Sequence, residues 1–197
     1  MATYEPHDKF YRKARAMGLP SRAAFKIEEI LARNRLVPKN AKIVDLGCAP
    51  GGWLAILAQA VGPGGRVVGV DLAPVKNPPA GAITIAGDIL DAFVAARVAK
   101  ELGGRANLVT SDLAPKLTGI AARDEARSRE LIDAALAFAI AILAPGGAMV
   151  AKLFMDAEFK QVVDSFKRHF VNVEVTRTKA SRPGSSELYI VARDFRS

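Results

Sequence analysis

Short apolar segments with the composition of β-strands alternate with longer helix-like segments through most of the chain. Strands that alternate with helices form a parallel sheet covered on both faces. Strands are predicted at 42–47, 66–71, 82–88, 107–112 and 148–154, and helices at 53–61, 90–102, 123–143 and 156–169. Two further strands, 171–178 and 187–195, are separated by only eight residues and are expected to pair antiparallel. We therefore predict a Rossmann-like α/β fold, with a mainly parallel seven-stranded sheet, a C-terminal antiparallel hairpin and helices on both faces.

The length of 197 residues suits one domain, and residues 1–20 are interpreted as a basic N-terminal arm. Ser21 is predicted to cap a helix over 22–34, so the single domain is expected to span 21–197. One cysteine excludes an internal disulfide and fits a reducing compartment. The sequence shows no secretory signal and no apolar run of the roughly 20 residues that a membrane helix needs. We expect a cytoplasmic monomer without membrane contact.

Positive charge is concentrated in the two ends of the chain, whose overall net charge is +8. Residues 1–40 hold nine Lys or Arg against four acidic residues, and residues 160–197 hold eight against four. Such ends are either solvated tails or a surface for a polyanion, because Lys and Arg displace counterions from phosphates. The second interpretation requires that both ends lie near one active site.

The strongest local motif is VDLGCAPGGW, residues 44–53, which we call the glycine loop. An acidic residue near the end of a strand is followed by Gly47, Gly51 and Gly52, which let the backbone approach a ligand closely. Trp53 then opens a helix, whose free N–H groups suit a carboxylate or phosphate. The spacing differs from the G-x-G-x-x-G of dinucleotide sites, so the loop favours S-adenosylmethionine.

Acidic residues also end the next two strands. Asp71 can accept hydrogen bonds from the ribose hydroxyls of an adenosine, and Asp88 from its adenine amino group. An NAD-dependent oxidoreductase on the same fold class is the alternative, which the loop spacing disfavours. Cys48 is interpreted as a small filler residue, since no histidine partner is evident. His7 and His169 are not in a metal-spaced cluster, so no metal is expected.

Six motifs resemble those of the FtsJ/RrmJ-type methyltransferase family and extend over nearly the whole chain, from about residue 7 to residue 194. They are SRAAFKIEEI (21–30), VDLGCAPGGW (44–53), SDLAP (111–115), LAPGG (143–147), AKLF (151–154) and SSELYIVAR (185–193). The resemblance implies a Rossmann-like S-adenosylmethionine-dependent methyltransferase fold and 2′-O-methylation of a uridine in 23S ribosomal RNA, within the assembled large subunit. Cys48 departs from the family pattern, as does MDAEF after Phe154, which lacks an expected glycine; the loop there is expected to differ.

The family carries a Lys-Asp-Lys-Glu tetrad, which the resemblance places at Lys26, Asp112, Lys152 and Glu187. A ribose hydroxyl needs a general base, and Lys152 is assigned this role because its strand ends beside the cofactor cleft. Lys26 is expected to supply a second cation that favours the neutral amine of Lys152. Asp112, also expected at the cofactor site, would orient Lys152, and Glu187 would orient Lys26 or the ribose. Each residue alone could instead be structural, as a snorkelling lysine, an ion pair or a surface acid.

Seven basic residues from the two ends are predicted to form one RNA-binding surface around the reacting ribose. They are Lys9, Arg12, Lys13, Arg15, Arg177, Lys179 and Arg182. Phosphate contacts of this kind position an RNA without reading its sequence. Two alternatives remain open, namely 2′-O-methylation of another RNA such as tRNA, and a noncatalytic RNA-binding protein that has kept the fold.

Overall fold

The structure, a computed structural model, describes residues 8–116, 118–182 and 184–196. The first seven residues of the predicted arm, including His7, lie outside the described residues. The helices are α1 (Lys9–Ala16), α2 (Ala24–Asn34), α3 (Gly52–Val61), α4 (Ala92–Leu102), α5 (Ala121–Ile142) and α6 (Phe159–His169). The strands are β1 (Lys42–Leu46), β2 (Arg66–Asp71), β3 (Ala82–Ala86), β4 (Ala106–Ser111), β5 (Leu143–Phe154), β6 (Phe170–Thr176) and β7 (Glu187–Phe195). Within the described ranges, no helix has the length and apolar character needed to span a bilayer.

The sheet has the strand order β3-β2-β1-β4-β5-β7-β6. β1 to β5 run parallel, whereas β7 pairs antiparallel with both β5 and β6. These pairings confirm the predicted α/β class and the C-terminal hairpin. The chain moves outward from β1 to β3 and returns to β4 on the other side of β1, so the loops after β1 and β4 diverge. Such a switch point opens a crevice at the carboxyl ends of the two strands.

Apolar side chains fill both faces of the sheet. Helices α2 and α3 cover the face that carries Ile43 and Val150, and helices α4, α5 and α6 cover the face that carries Val44 and Met149. All four side chains are fully buried. Because successive strand residues point to opposite faces, the central strands are mostly apolar on both faces, with Asp45, Thr110 and Ser111 as buried polar exceptions. The polar residues that follow these strands are therefore held along one rigid edge.

The described part of the predicted arm contains helix α1, which was not predicted from the sequence. The Asp8 carboxylate caps it by accepting a hydrogen bond from Tyr11 N at 2.9 Å. Ala14 is buried in a small cluster with Phe25 and Ala180. The helix thus packs on residues that are distant in the sequence.

Two local predictions were wrong. Helix α2 begins at Ala24, and an alanine rather than Ser21 occupies its cap position. The main-chain carbonyl of Ser21 accepts a hydrogen bond from Ala24 N at 3.3 Å instead, so a turn of backbone starts the helix. Strand β5 begins at Leu143 rather than at the predicted residue 148, and a shift in register between Leu143 and Ala148 absorbs the additional residues.

Candidate active site

The glycine loop lies at the crevice and is held largely by its own backbone. Gly47 N donates to Val70 O at 2.8 Å, and Gly51 N donates to Cys48 O at 2.7 Å. Gly47 and Gly51 have φ values of 75° and 109°, in a region that other residues adopt only with strain. A Cβ at Gly47 would also come within 3.0 Å of Leu113 N in the loop after β4. Both positions therefore require glycine.

Helix α3 starts at the end of this loop without a side-chain cap. Its first N–H groups and positive dipole end are available to a carboxylate. A Cβ at Gly52 would lie 2.2 Å from Ser21 Oγ, so this glycine permits close packing beside α2. Trp53 is 3% exposed, donates from Nε1 to Ala23 O at 2.9 Å, and packs its ring 5.8 Å from that of Tyr189. These contacts of Trp53 join α3 to the start of α2 and to β7.

Of the two acids predicted to contact an adenosine, Asp71 ends β2 and Asp88 follows β3. The Asp71 carboxylate accepts hydrogen bonds from Ala49 N and Ala73 N, each at 2.9 Å, and so holds the glycine loop against β2. A carboxylate has about four acceptor positions, which leaves capacity for ribose hydroxyls. Asp88 is exposed and accepts a hydrogen bond from Leu90 N at 3.0 Å.

A third acid, Asp45 in β1, is fully buried beneath the glycine loop. Its Oδ1 accepts a hydrogen bond from Thr110 Oγ1 at 2.7 Å, and its Oδ2 has no hydrogen-bond partner among the described residues. Burial, with smaller contributions from the charges of Asp112 and Asp71, raises the pKa of Asp45 to about 8. Burial likewise raises the pKa of Cys48 to about 12, which fits a filler residue rather than a nucleophile.

The first ion pair of the tetrad joins β5 to the end of β4. Lys152 Nζ lies 2.9 Å from Asp112 Oδ1 and donates a hydrogen bond to the main-chain oxygen of Asp112 at 3.0 Å. The contact with Oδ1 is ionic, since it lacks hydrogen-bond geometry. The side chains of Lys152 and Asp112 are 8% and 20% exposed, so the pair borders the crevice. Asp112 N donates to Leu46 O at 3.0 Å, which fixes this residue beside the glycine loop.

The second ion pair joins α2 to β7. Lys26 Nζ lies 2.8 Å from each carboxylate oxygen of Glu187. Glu187 Oε1 also accepts hydrogen bonds from Ser181 Oγ at 2.9 Å and from Tyr189 OH at 3.0 Å. Burial alone would raise the pKa of Glu187, but the charge of Lys26 and these hydrogen bonds outweigh it and hold that pKa below its usual value. Glu187 is therefore a well-fixed anion.

Tyr189 lies between the two pairs. In the β5–β7 register it is opposite Lys152, and Glu187 is opposite Phe154, so these side chains share one face of the sheet. Lys26 Nζ is 5.8 Å from the centre of the Tyr189 ring. Burial, together with the charges of Asp112 and Glu187, raises the pKa of Tyr189 well above its usual value, so the phenol stays protonated. The structure brings all four tetrad residues together around this ring.

Tyr189 and Ser181 were not predicted from the sequence. Alternation in the strand ELYIVAR was a usable signal for Tyr189, because residues two apart lie on the same face as Glu187. No local signal marks Ser181, since its contact depends on how the loop between β6 and β7 folds back. The repulsion expected between Lys26 and Lys152 is offset, because each lysine faces a carboxylate of its own.

The two basic ends of the chain pack against each other. Arg22 donates to the Asp8 carboxylate at the start of α1 and to Ala180 O in the β6–β7 loop. Lys179 N donates to Glu29 Oε2 on α2 at 2.8 Å. The seven predicted RNA-binding residues are thus divided between α1 and this loop: Lys9, Arg12, Lys13 and Arg15 on α1, and Arg177, Lys179 and Arg182 after β6. All seven are exposed.

Potential metal ligands are not clustered in the part of the chain that the structure describes, where no group of three His, Cys, Asp or Glu side chains could hold a metal ion. A reaction without a metal stays a prediction.

Comparison with known proteins extends these observations. A model of FtsJ-like methyltransferases matches residues 19–195. The ribosomal RNA large subunit methyltransferase E of Anaeromyxobacter dehalogenans is 46% identical over 194 residues, which cover 98% of this chain and 73% of that protein. The protein of the same name from Methanoculleus marisnigri is 45% identical over 189 residues, covering 96% of this chain and 92% of the relative.

A solved structure shares the fold. A ribosomal RNA methyltransferase from Plasmodium falciparum superposes with a TM-score of 0.78 at 23% identity, covering 89% of this chain and 98% of the other. These matches do not favour an NAD-dependent oxidoreductase. With a family match over nearly the whole chain and relatives above 40% identity, the chain belongs to the FtsJ-like methyltransferase family.

Proposed function

We propose that this methyltransferase transfers the methyl group of S-adenosylmethionine to the ribose 2′-hydroxyl of a uridine in 23S ribosomal RNA, in the large ribosomal subunit. The observation that carries the proposal is the meeting of two lysine–carboxylate pairs around Tyr189, beside the glycine loop. The names of the relatives support the choice of ribosomal RNA. A ribosomal substrate also fits action in the cytoplasm, and we propose that the enzyme acts there as a monomer.

The residues of the crevice fit S-adenosylmethionine. The uncapped start of α3 suits its carboxylate, and Asp71 and Asp88 suit the ribose hydroxyls and the adenine amino group of its adenosine. No side chain projects from the loop at Gly47, Gly51 or Gly52. Trp53 holds the start of α3 in place through its contacts with Ala23 and Tyr189. Asp112 would border the cofactor and the acceptor ribose. When bound, S-adenosylmethionine supplies an electrophilic methyl group on a sulfonium.

Lys152 is the general base of the proposed reaction. The 2′-hydroxyl is a poor nucleophile and must give up its proton as its oxygen bonds to the methyl carbon. The ammonium of the Lys152–Asp112 pair first releases a proton to solvent, and the free amine then accepts the hydroxyl proton at Nζ. Asp112 holds Nζ through its carboxylate and its main-chain oxygen, which directs the amine, and then stabilises the ammonium that forms. Lys152 therefore acts on the acceptor and not on the cofactor.

Lys26 and Glu187 position the acceptor in this scheme. Glu187 is held by three donors, so it remains an anion and keeps Lys26 Nζ at the rim of the site. A fixed ammonium group there can contact a ribose or phosphate oxygen of the RNA. The exposed basic residues of α1 and the β6–β7 loop then hold the flanking phosphates. These residues would form one surface, on the side of the active site where Lys26 lies.

The test is transfer of labelled methyl groups to large ribosomal subunits, free 23S ribosomal RNA and tRNA, followed by mapping of the modified ribose. We expect one methylated uridine in the large subunit, and at least about a hundredfold slower transfer by Lys152→Ala. Lys160→Ala, which removes an exposed lysine of α6, is the matched control and should behave like the unchanged protein. Methylation of tRNA alone would contradict the proposed ribosomal RNA substrate. Cofactor binding without methyl transfer to any RNA would contradict the proposed enzymatic activity.

A further inference from the structure

A groove of about 560 Å³ lies outside the catalytic centre, between α1, α2 and the β6–β7 loop. Six of the residues that line it are Phe10, Lys13, Phe25, Glu28, Lys179 and Ala180. We infer that this groove binds an unstacked nucleobase from a nucleotide next to the methylated one. The inference rests on the proposed RNA substrate and adds to it a site for a second base.

The aromatic wall of the groove suits a base. The rings of Phe10 and Phe25 lie 5.8 Å apart between their centres, and Phe10 is half-buried. Cations already lie over both rings: Lys13 Nζ is 4.6 Å from the centre of Phe25, and Lys9 Nζ is 5.2 Å from that of Phe10. Aromatic rings beside cations are the combination with which proteins hold single-stranded nucleic acid.

The charges of the groove also match a nucleotide. Lys13 comes from α1 and Lys179 from the β6–β7 loop, so each basic end of the chain contributes one ammonium group that can meet a phosphate. Among the acids, Glu29 is engaged by Lys179 N and by Arg33. The contacts described for the chain leave the exposed Glu28 carboxylate without a partner. A free carboxylate accepts hydrogen bonds from an exocyclic amino group, as it does from cytosine N4.

The position of the groove selects a neighbour of the target nucleotide. Phe25 precedes Lys26 in α2, and Ala180 precedes Ser181, whose hydroxyl contacts Glu187. Two walls of the groove are thus one residue away from groups that touch Glu187. A strand whose target ribose reaches Lys152 passes Lys26 and Glu187, and its next base can turn into the groove.

The experiment measures RNA binding in a cycle of two changes. The probe is a short single-stranded RNA that contains the mapped target uridine, with each flanking position in turn made abasic. The protein change is Phe10→Leu, which keeps an apolar side chain but removes the aromatic face. Phe93→Leu, at the 85% exposed phenylalanine of α4, is the control. We expect one abasic position to weaken binding to the unchanged protein about tenfold.

Binding of the abasic RNA to Phe10→Leu, which combines the two changes, tests the inference. If the groove holds that base, Phe10→Leu weakens binding of the intact RNA by a similar factor, and the abasic substitution then has little further effect. Glu28→Gln should reduce the difference in binding affinity between an RNA with cytidine and an RNA with uridine at the same position. Equal abasic losses in the unchanged protein and in Phe10→Leu would overturn the inference. Methylation of the mapped uridine is followed separately, so loss of this site and failure of the proposed function give different results.

Discussion

The glycine loop and the tetrad are neighbours that depend on opposite kinds of contact. The loop is a run of consecutive residues whose shape comes from main-chain hydrogen bonds and left-handed glycines. The tetrad takes one side chain each from α2, the end of β4, β5 and β7, and its Lys26–Glu187 pair joins residues 161 positions apart. Changes in the loop region should therefore alter cofactor affinity, whereas changes in the tetrad should alter the rate of methyl transfer.

The largest expected effect is on the tetrad. Lys152→Ala removes the proton acceptor, and we expect at least about a hundredfold loss in the single-turnover rate, within the range that general bases contribute. Asp112→Ala should lose a comparable amount. Cofactor affinity of Lys152→Ala, measured by calorimetry, should stay within about twofold, because Lys152 acts on the hydroxyl. Near-normal single-turnover methylation by a folded, cofactor-binding Lys152→Ala protein would contradict the role as base.

Asp71→Ala is the corresponding change in the loop region. It removes an acceptor predicted for the ribose hydroxyls and also releases Ala49 N and Ala73 N. The loss of a charged acceptor should weaken S-adenosylmethionine by about 1.5–3 kcal/mol, roughly tenfold to a hundredfold. At saturating cofactor, the transfer rate should recover far more than in Lys152→Ala. Unchanged cofactor affinity in the folded variant would contradict the assignment of Asp71 to the ribose of the cofactor.

A smaller effect is expected at the basic surface. Changing Arg12, Lys13 and Arg15 together to Ala should weaken RNA binding and reduce its dependence on salt, with the logarithmic slope falling by about two units if three phosphate contacts are lost. The control changes Lys39, Arg97 and Lys100, which are also exposed and lie outside both α1 and the β6–β7 loop. The same salt slope in both triple variants would mean that α1 makes no phosphate contacts.

Ser181→Ala tests whether a residue outside the tetrad helps to position Glu187. The change removes one of three donors to Glu187, so we expect the transfer rate to fall about fivefold while cofactor affinity stays the same, consistent with one lost hydrogen bond. The pKa of Glu187 should move upward, which would shift the acid limb of the pH–rate profile to higher pH. Ser186→Ala, at an exposed serine of the same loop, serves as control. Identical profiles for the two variants would show that Ser181 has no positioning role.

The smallest effect on activity is expected at Asp45, where stability is the readout. Its folded-state pKa is raised to about 8, so its contribution is favourable below the unfolded value near 4 and is lost as pH rises through about 8. Asp45→Asn keeps the side chain neutral throughout. The unchanged protein should therefore lose free energy of unfolding relative to this variant between about pH 4 and pH 8. Denaturant unfolding at several pH values gives the comparison, and parallel curves would show that Asp45 does not titrate in this way.

The contrast between local and long-range contacts also explains what could be predicted from the sequence. The strands, the hairpin and the glycine loop follow from patterns within a few residues, and all were placed before the structure. The tetrad positions came from resemblance to a family, because no spacing rule connects Lys26 with Glu187. Helix α1 and the contact of Ser181 were missed, since each depends on packing between segments far apart in the chain. The neutral state of Asp45 depends on burial, which a strand pattern alone does not quantify.

The Arg22 contacts have a consequence for the synthesis of the enzyme itself. Arg22 joins the start of α1 to Ala180, and Lys26 pairs with Glu187, so the basic surface cannot form before the β6–β7 loop is synthesised, nor the active centre before β7. The sheet from β1 to β5 can form earlier, because its strands emerge first and pair in the order of synthesis or near it. A nascent chain would therefore hold its cofactor loop before it could engage RNA. The enzyme proposed to modify ribosomal RNA would become competent only once β7 has joined the sheet.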